Sequence, residues 1–284
     1  GDGSFSMGYT HQDIKELSGM ASTTANSSYG KYAASDYNNR TPQRSIYETE
    51  HRFFATASST HYFLGADKPT TFNLYFERKS GLPGTYSWDT YTSRNYGGTA
   101  YQQEAFGYEK NLNDDSSHLL YVPSGVSDPN VCWGSCAAPD LAIAAQVLDT
   151  LYNKLGLQGY AGQIVPNGVY EYPWRTSLDL KITQILPGFR AEDEFVISLG
   201  IMNLLNLIDS DKGEAKYGPY NGKMAVLDMY MNEDFTKYIY PNYRGRGYPD
   251  YAYGYNSSNP KGIRKSAVNS IWRAQLGFTY KFSF

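Results

Sequence analysis

Four histidines are the side chains of this sequence best suited to metal binding or proton transfer: His11, His51, His61 and His118. None of them has the spacing of a helical zinc site such as H-E-x-x-H. His51 and His61 are ten residues apart in one predicted strand, a separation of roughly 33 Å, so they cannot share a ligand. The pattern favours lumen or interfacial histidines over metal ligands, and we expect no metal site and no cofactor.

Signatures of nucleophilic catalysis are also missing from the sequence, which has no G-x-S-x-G elbow and no cysteine–histidine pair in a catalytic family context. A glycosidase would need a convergent pair of carboxylates, which no pattern singles out. The acidic run NLNDDSS at 111–117 lacks the spacing of a calcium-binding loop and is typical of a solvated turn. The sequence therefore predicts a protein that is not an enzyme.

Cys132 and Cys136 are the two cysteines, and they lie in the segment CWGSC. Two thiols without a nearby histidine or further cysteine cannot complete a four-ligand zinc site. We expect a short-loop disulfide, formed in an oxidising compartment. The alternative is a pair of free thiols without a role.

Tyrosine is unusually frequent, with 28 copies in 284 residues. Tyr248, Tyr251, Tyr253 and Tyr255 lie together in the glycine-containing segment 245–262. Tyrosine offers a large contact area at low entropic cost, so these four residues are the candidates for ligand binding. The alternative is that their rings only pack the loops against one another.

Charge and hydropathy exclude two classes of protein. A net charge of −3 and a pI of about 5.8 argue against nucleic-acid binding, which needs a concentrated basic surface. No run of 18 apolar residues occurs, so the sequence predicts no transmembrane helix. Strands of about 9–11 residues with alternating character can still cross a bilayer.

Alternation of apolar and polar residues predicts an all-β fold. The clearest segment is the terminal WRAQLGFTYKFSF, in which every second residue from Trp272 to Phe284 is apolar or aromatic. Leu178, Leu180 and Ile182 form a similar stripe. Since successive side chains of a strand point to opposite faces, such segments have one apolar and one polar face. We predict six strands, near residues 3–16, 47–63, 70–80, 174–186, 194–207 and 270–284.

The connections between these strands alternate between short and long. The turns at 64–69 and 186–193 are short, whereas the gaps at 17–46, 81–173 and 208–269 are long and polar. Short turns on one side and long loops on the other are typical of an outer-membrane β-barrel, with periplasmic turns and extracellular loops. Six strands cannot close such a barrel, so we expect the missing strands to come from elsewhere.

Two features are predicted inside the long loops. The segment 139–156 has an apolar stripe at helical spacing and ends with Gly156 at the expected C-cap. The stripe consists of Leu141, Ala144, Leu148, Leu151 and Leu155. We expect this one short helix to pack on the aromatic residues of its own loop. A hairpin of 224–231 and 235–241 is expected to extend the barrel wall above the membrane.

Residues at the strand ends have predicted structural roles. Trp174 and Trp272 each lie just inside the membrane from a long loop, where an aromatic girdle is expected. Phe63 and Phe284 would form the ring at the opposite, periplasmic end. Asn203 and Asn206 follow the fifth strand, and their amides are expected to bond neighbouring backbone.

Three segments resemble the C-terminal end of TonB-dependent outer-membrane receptors, and in particular their Oar-like branch: HLLYVP (118–123), GYAGQIVPNGVYEYPWRTSLDLKITQILPGF (159–189) and FVISLGIMNLLNLID (195–209). The resemblance implies the last six strands of a 22-stranded transmembrane antiparallel barrel, with long extracellular loops. It also implies a barrel-assembly signal at Gly277, Tyr280, Phe282 and Phe284. The family's plug domain and periplasmic coupling box have no counterpart here, and the first residues, GDGSFSMGYT, already alternate as in mid-strand. We therefore expect residues 1–284 to be part of a longer receptor.

The resemblance further implies partners and a location. The partners would be the remaining barrel strands and the plug domain, the energy-coupling TonB complex, the barrel-assembly machinery and outer-membrane lipid. The location would be the bacterial outer membrane, with the loops extracellular and the C-terminus periplasmic. The function would be uptake or handling of an unidentified ligand. The alternative is a surface-exposed binding or adhesion protein that uses its tyrosine-rich loops.

Overall fold

The computed structural model describes residues 1–17, 23–24, 28, 33–35, 39–90, 118–218, 222–232, 234, 236–240 and 262–282. Within these ranges the fold is mostly β, and no helix is long and apolar enough to cross a membrane. The strands are β1 (Gly3–His11), β2 (Lys15–Glu16), β3 (Gln43–Arg44), β4 (His51–His61), β5 (Thr70–Lys79), β6 (Pro83–Thr90), β7 (His118–Leu119), β8 (Tyr121–Val122), β9 (Val131–Trp133), β10 (Gln163–Ile164), β11 (Tyr170–Glu171), β12 (Arg175–Pro187), β13 (Glu194–Met202), β14 (Lys216–Tyr217), β15 (Lys223–Met231), β16 (Tyr238–Tyr240), β17 (Arg264–Lys265) and β18 (Arg273–Lys281). The helices are α1 (Leu141–Leu148), α2 (Leu204–Ile208) and α3 (Ala267–Ser270), with a π-helical turn at Asp149–Lys154 and a 3₁₀ turn at Gln158–Tyr160.

Six strands form one antiparallel sheet, which we call the main sheet, in the order β1-β4-β5-β12-β13-β18. Neighbouring strands in this order pair with each other, and the order follows the chain, as in an up-and-down meander. The six predicted strands are therefore confirmed. The two short turns lie at one end of the sheet, the turn end, and the long connections lie at the other, the loop end.

Two strands end five residues earlier than predicted. The first strand ends at His11 instead of residue 16, and β2 pairs with β3 in a separate ribbon. The fifth strand ends at Met202 instead of residue 207, because Asn203 adopts a left-handed backbone conformation with φ of 57° and α2 follows directly. The apolar run beyond Asn203 resembles a strand in composition, but the left-handed conformation of Asn203 ends the hydrogen-bond ladder of β13.

The long connections fold into a second unit, the cap, at the loop end. A mixed sheet of the cap has the order β11-β6-β15-β16-β9, with β7 also paired to β6. The predicted hairpin is present, since β15 pairs with β16. However, β15 runs parallel to β6 and β16 runs parallel to β9, so the hairpin belongs to the cap sheet and does not extend the main sheet.

The predicted loop helix covers one side of the cap core. Its helical turns run from α1 through the π-helical turn, and Gly156 follows with a positive φ of 70°, as a C-capping glycine does. Ala144, Val147 and Leu151 are fully buried, whereas Leu141 lies outside the core and is exposed. One loop helix was predicted, but the described residues contain two further short helices, α2 and α3, where the chain turns beside β13 and β18.

Candidate functional site

The main sheet has two faces of opposite character, because its pairings align residues of the same phase in rows across all six strands. One row on the first face is Phe5, Ala57, Leu74, Leu180, Ile201 and Ala274. The adjacent row on the second face is Ser4, Ser58, Asn73, Lys181, Gly200 and Gln275. We call these the apolar face and the polar face.

The apolar face is open to its surroundings. Phe5, Met7 and Phe278 are 68%, 76% and 61% exposed, and the stripe of β12 is shielded only in part by its neighbouring strands. The buried hydrophobic cluster includes no residue of this face. From the strand spacing and the rise per residue, the face covers roughly 700 Å², well above the few hundred Å² of a typical surface patch. Such a face indicates contact with lipid or with a partner.

Aromatic rings mark the loop end of the apolar face. The Trp174 ring lies 6.0 Å from that of His51 and 6.3 Å from that of Phe53, and Phe53 contacts Tyr9 at 4.7 Å. The Arg78 guanidinium lies 5.4 Å from the Trp174 ring centre, a cation–π contact. Trp272 directly precedes β18 and lies at the same end of the sheet.

A second group of rings marks the turn end of the same face. Phe63 packs against His61 and Phe72, with ring centres 5.2 Å and 6.5 Å apart. Phe195 and Phe278, on β13 and the edge strand β18, stack on the same face with ring centres 6.1 Å apart. The aliphatic rows of the face therefore lie between two aromatic borders.

The barrel-assembly residues implied by the resemblance lie on β18 and just after it. Gly277 faces Ser198 on the polar face, and a Cβ added to Gly277 would lie 2.6 Å from the Ser198 hydroxyl oxygen. The Tyr280 hydroxyl donates to Asp193 and accepts a hydrogen bond from the backbone N–H of Phe189 at 3.1 Å. Phe282 is exposed, and Phe284 lies outside the described residues.

The polar face holds mainly charged, amide and hydroxyl groups, with a few apolar residues such as Phe54 and Val196 among them. Glu77 accepts a hydrogen bond from Arg52 at 2.7 Å and lies 3.4 Å from Lys79. A groove of about 460 Å³ lies across the middle of the sheet, with Asn73, Asp179 and Lys181 in its lining. The lining of this groove also includes apolar residues, among them Leu74, Leu180 and Met202.

Arg44 joins the cap to the loop end of the sheet through three carboxylates. Its guanidinium lies 2.5 Å from Glu48, 2.6 Å from Glu50 and 2.8 Å from Glu171. Burial disfavours the charged guanidinium, but hydrogen bonds to Glu171 and Glu48 outweigh it and raise the pKa of Arg44. Burial raises the pKa of Glu171, but hydrogen bonds and charges of its neighbours, those of Arg44 above all, together outweigh burial and lower this pKa overall.

Asn203 and Asn206 anchor the chain where β13 ends. The Asn203 amide donates to the carbonyls of Gly213 at 2.9 Å and Ser270 at 3.0 Å. The Asn206 amide donates to the carbonyls of Ser210 and Lys212. The expected backbone-bonding role of both residues is confirmed.

The cap contains the predicted disulfide. Cys132 and Cys136 are bonded, with Cα atoms 4.8 Å apart, in the range that disulfides span. This bond closes the turn after β9, next to Trp133 in the buried core. The ligand-binding candidates Tyr248, Tyr251, Tyr253 and Tyr255 lie outside the described residues.

Metal-ligating side chains come together at one place in the described part of the chain. His11 and His51 are directly opposite each other on β1 and β4, and Glu50 precedes His51. One ligand atom from each of the three lies within 4.8 Å of the others. The sequence did not indicate this group, because the register of β1 against β4 cannot be derived across the long connection at 17–46.

In comparisons with known proteins, no family model, no curated protein and no solved structure matches the chain.

Proposed function

We propose that the chain forms six adjacent strands in the wall of an outer-membrane TonB-dependent receptor, which takes up or handles a ligand, with the cap on the extracellular side. The observation that carries the proposal is the apolar face, continuous across six strands and excluded from the buried core. In water this face would stay unburied, whereas in a bilayer lipid chains cover it.

The dimensions of the main sheet fit a bilayer. Its strands are 9 to 13 residues long, and a tilted transmembrane strand needs about 9–11. The aromatic groups around Trp174 and Phe63 lie where the two interfaces of the membrane would be. The polar face with its groove would then line the interior of the barrel.

In a bilayer the two outer strands of the sheet would need further strands to pair with. β1 and β18 are the ends of the strand order in the described part of the chain, so each has one unpaired edge. In hydrocarbon each unsatisfied backbone group costs several kcal/mol, so an open sheet is not stable there. The remaining strands and the plug domain of the receptor would pair with both edges and fill the interior.

The orientation follows from the loop and turn ends. Outer-membrane barrels have short periplasmic turns and longer extracellular loops, so in such a barrel the cap would lie outside and the end of β18 would face the periplasm. Ligand would reach the cap first, and an inner-membrane TonB complex would supply energy to move the plug.

Membrane partition tests the proposal. We expect the protein to fractionate with the outer membrane, to resist extraction by alkaline carbonate and to need detergent for a monodisperse solution. Protein that is monodisperse without detergent would contradict it.

Intact-mass analysis and co-purification would identify the polypeptide that supplies the other strands. Ligand uptake that stops without the TonB complex would support transport, whereas ligand binding without uptake would favour the adhesion alternative.

A further inference from the structure

The cluster of His11, His51 and Glu50 is built from two neighbouring strands of the main sheet. His11 ends β1 and His51 begins β4, and the two residues are direct partners in the ladder, with ring centres 5.2 Å apart. Both are in phase with Tyr9 and Phe53, so they lie at the loop end of the apolar face. The sheet itself therefore fixes the separation of the two imidazoles.

The distances within the cluster are close to those of a metal site. Tetrahedral zinc binds nitrogen and oxygen at about 2.0–2.1 Å, which puts its ligand atoms about 3.3–3.4 Å apart. His51 Nε2 and Glu50 Oε1 are already 3.3 Å apart. No pair in the cluster exceeds 4.8 Å, and the His11 side chain is exposed, so a rotation of that ring can close the site.

Neighbouring groups orient two of the three ligands. The Tyr9 hydroxyl lies 2.9 Å from His51 Nδ1, and a proton on Nδ1 leaves Nε2 free to bind a cation. Arg44 donates to Glu50 Oε2 at 2.6 Å, which directs Oε1 towards His51. Metal-binding histidines and carboxylates in proteins are held by partners of this kind.

Charge and ligand type indicate which cation fits. Arg44 faces Glu48, Glu50 and Glu171, so this network, which includes the ligand Glu50, carries two net negative charges. Two imidazoles and a carboxylate suit zinc, copper, nickel or iron(II), whereas magnesium and calcium prefer oxygen ligands alone. The flat face of Trp174 closes one side of His51.

We propose that His11, His51 and Glu50 bind a divalent first-row transition metal, with Zn²⁺ as the reference ion, at the loop end of the main sheet. Three protein ligands leave a fourth position for water or for a donor atom of a bound molecule. The bound ion would also link β1 to β4 where the sheet meets the cap. This proposal rests on the pairing of two strands and does not depend on the membrane assignment.

Zn²⁺ titration of the purified metal-free chain, in the detergent that keeps it monodisperse if it needs one, tests the site. We expect one Zn²⁺ per chain, visible absorption bands when Co²⁺ takes its place, and no competition from Mg²⁺ or Ca²⁺. His11→Ala and His51→Ala should each weaken Zn²⁺ affinity by about 100-fold. Tyr9→Phe should weaken it by about 10-fold, as for other residues that orient a ligand.

His61→Ala is the matched control, because His61 ends the same strand at the turn end and lies beside Ser59 and Phe63. Its Zn²⁺ affinity should equal that of the unchanged protein. His11→Ala carries the test if His51→Ala fails to fold, since His51 packs on Trp174 and His11 is exposed. Absence of stoichiometric Zn²⁺ binding, or unchanged affinity in His11→Ala, would overturn the proposal.

Discussion

Leu151 in the cap and Leu276 in the main sheet are identical side chains in opposite surroundings, 0% and 60% exposed. The cap buries its apolar residues among segments that are distant in sequence, including Leu120, Trp133, Leu227 and Tyr240. The main sheet instead presents an ordered apolar face to its surroundings. The cap therefore buries its apolar residues by internal packing, whereas the main sheet leaves its apolar face uncovered.

The largest expected difference comes from deleting one leucine in each region. Leu151→Ala should lower the free energy of unfolding of the cap by about 2–5 kcal/mol, because it leaves a cavity in a close-packed core. In lipid, Leu276→Ala should cost less than about 1 kcal/mol, because lipid chains fill the vacated space. Denaturant unfolding of both variants in bilayers or detergent measures the contrast. Equal losses for the two variants would show that Leu276 is packed against protein.

The disulfide should matter to the cap and leave the main sheet unaffected. Cys132 and Cys136 are four residues apart, and closing so short a loop is worth about 2 kcal/mol in the chain-entropy treatment. The Cys132→Ser/Cys136→Ser double variant should therefore speed hydrogen exchange in β9 and β16 and leave β12 and β13 unchanged. Faster exchange throughout the main sheet would contradict the separation of the two regions.

A smaller, pH-dependent contribution to the cap comes from Asp128. Burial raises the pKa of this carboxyl, but hydrogen bonds from the backbone N–H groups of Ser124 and Asn130 and from the Tyr121 hydroxyl outweigh burial, so its pKa is lowered overall. A carboxyl with a lowered pKa stabilises the folded state above its unfolded pKa of about 3.9, and this stabilisation disappears as pH falls through the folded-state pKa.

Asp128→Asn should therefore lower cap stability by about 1 kcal/mol at pH 7 and flatten its decline below about pH 4. Cap unfolding measured from pH 7 to pH 2 gives both quantities. An unchanged acid dependence in the variant would show that other groups control it.

The main sheet could be predicted from sequence because its information is local. Alternation places the six strands, and the turns at 64–69 and 186–193 fix the pairing of β4 with β5 and of β12 with β13. Asn203 shows where this reasoning fails, since LLNLI continues the apolar pattern but forms a helix after a left-handed residue. Hydrophobic periodicity does not reveal whether a single residue adopts a left-handed backbone conformation.

The cap and the histidine cluster could not be predicted in this way. β15 pairs in parallel with β6, although more than 100 residues separate them, and no local signal selects that partner. His11 meets His51 only because β1 pairs with β4 in one register across the long connection at 17–46. Contacts between distant segments depend on the assembled fold, so spacing along the chain gave no sign of this group.

Site-directed spin labelling along β12 in lipid bilayers tests the central claim most directly. Single cysteines at positions 178 to 182 would carry the nitroxide, and collision rates with oxygen, which dissolves in lipid, and with a water-soluble nickel complex would be compared. Leu178, Leu180 and Ile182 should be accessible to oxygen, and Asp179 and Lys181 to nickel, with a period of two residues. Positions 178, 180 and 182 shielded from both reagents, or open to nickel, would contradict a lipid-facing sheet.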